Sequence, residues 1–167
     1  MAVYYFDASA LVKYYVTEPG STWVRRIVEE RNAQSHELFH VILVAEITRV
    51  EVAAGLAVIE RVGRIKRLER DREYRRFSSQ LTHRYGIIPL TTIDLETAAN
   101  LTQRHPLKAY DAVQLAVALR YRQALATYQF CFVSSDHTLI AAAKAEDISV
   151  DNPFDHTAPE DTLGRST

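Results

Sequence analysis

Apolar positions recur along the chain in two rhythms. Short apolar runs alternate with longer stretches where apolar residues return every three or four positions. The first run, Val3-Tyr4-Tyr5-Phe6, has the β-branched and aromatic make-up of a buried strand. Ala8–Val16 then carries apolar residues at helical spacing. After a turn at Glu18-Pro19-Gly20, a helix is predicted over Ser21–Glu30, capped by Ser21, with Trp23, Val24, Ile27 and Val28 as its buried face. A second strand falls near Leu38–Val44. A long helix starts near Glu46, with Ile47, Val50, Ala54, Val58 and Val62 as its stripe, and Gly63 ends it. Another helix covers Lys66–Arg84, and Ile87-Ile88-Pro89-Leu90 forms a short third strand. Thr92 caps a helix ending before Pro106, and a further helix covers Ala109–Leu125. Phe130–Ser134 is a fourth strand, His137–Ala145 a helix, and Ile148-Ser149-Val150 a last strand.

Strands alternate with helices and lack internal polar alternation, which implies burial on both faces. The expected fold is a three-layer α/β domain with a mainly parallel sheet, spanning residues 1–153. Pro153 ends regular structure, and residues 154–167 are expected to form a polar, mobile tail.

Composition narrows the function. The chain has 167 residues, 47% hydrophobic and 25% charged, as in an ordinary soluble domain. It shows no run of membrane-span length and no signal-peptide layout. Its single cysteine, Cys131, lies in an apolar run and fits a reducing cytoplasm. A net charge of −1 means that any polyanion-binding surface must be local. Neither GxGxxG nor GxxxxGK[ST] occurs among so few glycines, which argues against a phosphate-cradling loop. Nor is there a CxxC or HExxH pattern, which argues against zinc.

The acidic residues change the picture. Asp7 and Asp136 each follow a predicted strand, where open parallel sheets place their ligand crevice. Glu51 and Asp111 stand in apolar helical contexts, within ITRVEVAAGL and AYDAVQLAVAL. Each has a plain structural role open to it. Asp7 and Asp136 suit helix caps, Asp111 suits a helix start, and Glu51 suits a solvated face or an ion pair. Together they can reach one crevice. Carboxylates about 4 Å apart repel by roughly 4 kcal/mol per pair at an effective dielectric near 20. Only protonation or a cation relieves this, and oxygen-only ligands suit Mg²⁺ or Mn²⁺.

Four stretches, FDASALVKYYVTEPGS, ITRVEVAAGL, LKAYDAVQLAVAL and FVSSDHTLIAAAKAEDISVDNP, stand in the order found in one family. Over residues 3 to about 153 the chain resembles the PIN-domain ribonucleases, and among them the VapC-type toxins of toxin–antitoxin pairs. The resemblance implies a PIN-like α/β/α fold with five parallel strands. It implies an acidic site of Asp7, Glu51, Asp111 and Asp136, with Ser9 and Ser134 orienting the carboxylates. It also implies cleavage of single-stranded RNA with Mg²⁺ or Mn²⁺, a small cognate antitoxin as partner, and a homodimer.

RNA contacts are expected from Lys13, Arg49 and Lys108, and from the basic run Arg61–Arg76, unless local ion pairs absorb that run. Tyr14, Tyr15 and Tyr110 could stack on bases, although core packing competes. Three other classes compete with the nuclease. Haloacid-dehalogenase-like phosphatases need an acid where Ser9 stands, and receiver domains need an acidic pair where Asp7 stands alone. An inactive PIN-like RNA- or protein-binding module is the non-enzymatic alternative.

Overall fold

The fold is known from a computed structural model, which describes residues 1–158. Five strands and seven helices follow one another: β1 (Val3–Phe6), α1 (Ala8–Tyr15), α2 (Ser21–Glu29), β2 (Val41–Ala45), α3 (Thr48–Arg61), α4 (Arg67–Arg84), β3 (Gly86–Ile88), α5 (Thr92–Arg104), α6 (Ala109–Ala124), β4 (Phe130–Val133), α7 (His137–Ala145) and β5 (Val150–Asp151). A 3₁₀ turn, Pro153–Asp155, follows.

All strand pairs are parallel, in the order β3-β2-β1-β4-β5. The chain winds outward from β1 to β3, then crosses to β4 on the other side of β1. The switch point therefore lies between β1 and β4, where Phe6 pairs with Val133. Strand geometry sends successive side chains to opposite faces. Phe6, Ile42 and Val44 meet α1 to α4 in one core. Tyr5, Leu43 and Phe132 meet α5 to α7 in the other, with the Tyr5 and Phe132 rings stacked at 5.5 Å. This is the expected α/β/α sandwich.

Several predicted boundaries move, each for a local reason. β2 starts at Val41 because residues 31–38 close a small loop, with an Arg31–Leu38 bridge and Asn32 Oδ1 accepting from the Gln34 and Ser35 amides. Ser21 does not cap α2. Gly20 holds the cap position in the left-handed region (φ 84°), and the Ser21 hydroxyl instead donates to the Val16 carbonyl. A side chain at Gly20 would meet the Pro153 carbonyl oxygen at 2.2 Å, so the C-terminal turn packs directly on this backbone. Thr91, not Thr92, caps α5, in a reciprocal box with Asp94.

The stripe predicted for α3 is out of phase. Val50, Val58 and Val62 are exposed, while Thr48, Val52, Leu56 and Ile59 are buried. Both rows have helical spacing in an Ala- and Val-rich helix, so periodicity alone does not choose between them. Close approach of α1 does: Val12 Cγ2 lies 3.4 Å from where a Gly55 side chain would begin.

Ile148 is a core residue rather than part of β5, because Asp147 takes a left-handed conformation just before it. Residues 154–156 also pack on the domain. Phe154 covers Lys13 at 3.9 Å, and the His156 ring lies flat on Trp23 at 4.2 Å. The part of the expected tail beyond Ala158 lies outside the described residues.

Candidate active site at the sheet switch point

The centre of the site is Asp7, the first residue after β1. It is 5% exposed. Its Oδ1 accepts from the Ala10 amide at 2.9 Å, so Asp7 does cap α1. The same carboxylate accepts from Ser9 Oγ at 2.8 and 2.9 Å and from Ser134 Oγ at 2.9 Å. Both serines also tie down the loop after β4. Ser9 Oγ accepts from the Ser135 amide, and Ser134 Oγ accepts from the Asp136 amide. These two hydroxyls join the carboxyl ends of β1 and β4 around one buried acid. Burial pushes the Asp7 carboxyl up to about 6, against the pull of these hydrogen bonds, and Asp111 adds to the rise.

Glu51 lies in the first turn of α3 and is partly buried. Burial raises it to about 7, the Gln114 amide holds it down, and the charges of Asp7 and Asp111 push it up. Asp111, in the first turn of α6, is raised by burial and then by Asp136, while Lys108 draws it down. Asp136 caps α7, its Oδ1 accepting from the Thr138 and Leu139 amides. Glu51 thus lies within electrostatic reach of Asp7 and Asp111, Asp7 of Asp111, and Asp111 of Asp136.

The donor set suits a hard divalent cation: it offers only oxygen, and its charges lack an internal counter-ion beyond Lys108 at Asp111. The one buried side-chain polar atom without a partner among the described residues, Ser135 Oγ, lies in this same loop. The set is not closed, however. Among the described residues no three His, Cys, Asp or Glu side chains converge tightly enough to hold an ion as they stand.

The expected RNA contacts divide. Lys13 is 1% exposed, its ammonium 3.2 Å from Glu18 and over the Phe154 ring, so it faces the interior. Arg49 and Lys108 are exposed, and Lys108 acts electrostatically on Asp111. Tyr14 and Tyr15 are core residues, bonded to Glu29 and Tyr85, whereas Tyr110 is 55% exposed. Within the basic run, Arg64 pairs with Glu18, Arg70 with Glu60 and Asp71, and Arg72 and Arg76 with Glu73.

Sequence reading missed the polar group behind Glu51. Gln114 is 1% exposed and contacts Tyr5, Thr48 and Glu51. The available signal was an amide inside the apolar run Ala112–Leu119, one turn after Asp111.

The model of the PIN domain matches residues 4–133, and the chain belongs to the PIN-domain family. Solved structures share the fold at low identity. FitAcB from Neisseria gonorrhoeae is similar with a TM-score of 0.60 and 16% identity, over 90% of this chain and 98% of that one. A toxin–antitoxin complex from Klebsiella pneumoniae gives 0.57 and 19%, over 92% and 98%. VapC20 of Mycobacterium tuberculosis, a sarcin–ricin-loop-cleaving toxin, gives 0.57 and 15%, over 83% and 94%. No curated protein matches.

Proposed function

We propose that this chain is a divalent-metal-dependent endoribonuclease and the toxin of a toxin–antitoxin pair, working in the cytoplasm. The observation that supports this best is the buried, hydrogen-bonded Asp7 at the switch point, electrostatically coupled to Glu51 and Asp111 on the same rim. Asp7, Asp111 and Asp136, with Glu51 completing the set, would hold Mg²⁺ or Mn²⁺. When bound, such an ion activates water and neutralises charge on the phosphoryl oxygens.

The chain's own residues supply the rest. Ser9 and Ser134 fix the Asp7 carboxylate so that it needs little reorganisation to act as a ligand. Glu51 orients or deprotonates the attacking water. In-line attack on phosphorus leaves a 5′-phosphate and a 3′-hydroxyl, with no covalent enzyme intermediate. Arg49 and Lys108, both exposed, would steady the RNA backbone. Related folds occur in complexes described as toxin–antitoxin pairs, which supports a small antitoxin as partner. A homodimer remains the expected assembly.

One observation favours a second reading, an inactive RNA- or protein-binding module: the open arrangement of the acids. The same experiment separates the two. Incubated with a mixed RNA pool, the protein is expected to cut in Mg²⁺ or Mn²⁺, stop in chelator, and lose activity in Asp7→Asn. RNA retention without metal-dependent cleavage would establish the binding module instead.

A further inference from the structure

We propose that Gln114 is a positioning residue that sets the place of Glu51 relative to Asp111. This rests on the nuclease reading for its purpose, but not for its geometry.

The three elements involved come from different layers. Tyr5 is on β1, Thr48 and Glu51 are in the first turn of α3, and Gln114 is one turn beyond Asp111 on α6. Tyr5 and Thr48 are fully buried and Gln114 nearly so. The Tyr5 hydroxyl donates to Gln114 Oε1 at 2.6 Å. Gln114 Nε2 donates to Thr48 Oγ1 at 3.0 Å and to a Glu51 carboxylate oxygen.

With Glu51 ionised, one orientation of the amide satisfies this set. An ionised carboxylate accepts and cannot donate. A flipped amide would turn its carbonyl oxygen toward Glu51, setting two acceptors against each other. In the unflipped orientation the Tyr5 hydroxyl donates to the amide carbonyl and Thr48 accepts from the amide nitrogen. Glu51 is thereby docked onto the helix that carries Asp111, and α3 from one layer is pinned to α6 from the other at the rim. A glutamate has three side-chain torsions. Among the described residues, Gln114 is the side chain that donates a hydrogen bond to its carboxylate.

Manganese binding tests the idea on the full chain. Gln114→Met is made together with Tyr5→Phe, so that no buried phenol is left without a partner. Calorimetry with Mn²⁺ is expected to show roughly tenfold weaker binding in this double variant, the scale seen when supports of metal ligands are removed. Thermal melts in chelator report separately the cost of leaving the buried Thr48 hydroxyl without its Gln114 partner. In a Glu51→Gln background the same pair of changes should alter Mn²⁺ affinity by less than about twofold, because the group it acts through is already altered. Unchanged affinity in the first background, or equal losses in both, overturns the assignment. Should the double variant fail to fold, Tyr5→Phe alone carries the test, with a smaller loss expected and no loss overturning it.

A wild-type protein that binds no Mn²⁺ would sink the metal-dependent nuclease first. The Gln114 geometry is then judged by nuclear magnetic resonance. Its side-chain amide protons should exchange slowly and shift on Glu51→Gln. Fast exchange and no shift would remove the proposal as well.

Discussion

Ser134 and Asp7 meet across 2.9 Å, a hydroxyl from the end of β4 donating to a carboxylate at the end of β1. The same hydroxyl accepts from the Asp136 amide, so one atom fastens both acids to the switch point. Ser134→Ala should therefore destabilise the protein by about 1–3 kcal/mol, the range for stranding buried polar partners. Asp7→Asn should behave oppositely. Asparagine still caps α1, and a buried charge is gone. Melts in chelator near pH 8 should show Asp7→Asn at least as stable as wild type, and cleavage should be lost. A large fall in its melting temperature would make Asp7 a structural cap and nothing more.

The raised carboxyls give a pH dependence of fixed sign. Asp7 lies near 6 against 3.8 for a free aspartate, and Glu51 near 7 against 4.5. Between those limits the metal-free native state holds more protons than the unfolded chain. The contribution of these two groups to stability is fully present below about pH 4 and is lost as pH rises through 6 to 7. For Asp7 the decline is on the order of 2–3 kcal/mol. Urea titrations in chelator at pH 5 and pH 8 should show the protein more stable at the lower value. The gap should narrow in Asp7→Asn and when Mg²⁺ is added.

Lys13 offers a test of interior against surface. Its ammonium is paired with Glu18, whose side chain is 15% exposed, and is covered by Phe154. Glu18→Ala strands that charge and should cost about 3–5 kcal/mol. Lys13→Met, which keeps the length of the stem, should cost far less. Neither change should alter the salt dependence of RNA binding.

Arg49 and Lys108 should do so. Each phosphate contact contributes about one unit to the slope of log affinity against log salt. Filter-binding titrations with a non-cleavable RNA should show each alanine variant lowering the slope by about one. Unchanged slopes would remove these side chains from the RNA path.

The phase of α3 is checked by a pair of substitutions. Val58 is 48% exposed and Leu56 is fully buried. Val58→Lys should shift the stability of the monomer by no more than about 0.5 kcal/mol. Leu56→Ala should cost about 2–5 kcal/mol. Equal losses would restore the stripe that periodicity suggested.

The layer order, the parallel sheet and the strand-end position of Asp7 and Asp136 were legible because short apolar runs and acids at their ends are local signals. The faces of α3 were not, since Val50 and Val52 are equally apolar and only packing against α1 separates them. Ser21 failed as a cap for a related reason: Gly20 met a backbone, Pro153, from the far end of the sequence. The acids were identifiable one by one, from strand ends and from apolar helical runs. The amide that organises Glu51 was legible only as a polar residue in an apolar run, because the partners of Gln114 on α3 and β1 do not follow from either segment alone.

The seat of Pro153 on Gly20 also bears on how the molecule is made. Lys13 and Trp23 acquire their covers, Phe154 and His156, only after residues 153–156 have left the ribosome. A polypeptide lacking that clasp would uncover the Trp23 indole and one side of the Lys13–Glu18 pair, on the flank of the sheet away from β3.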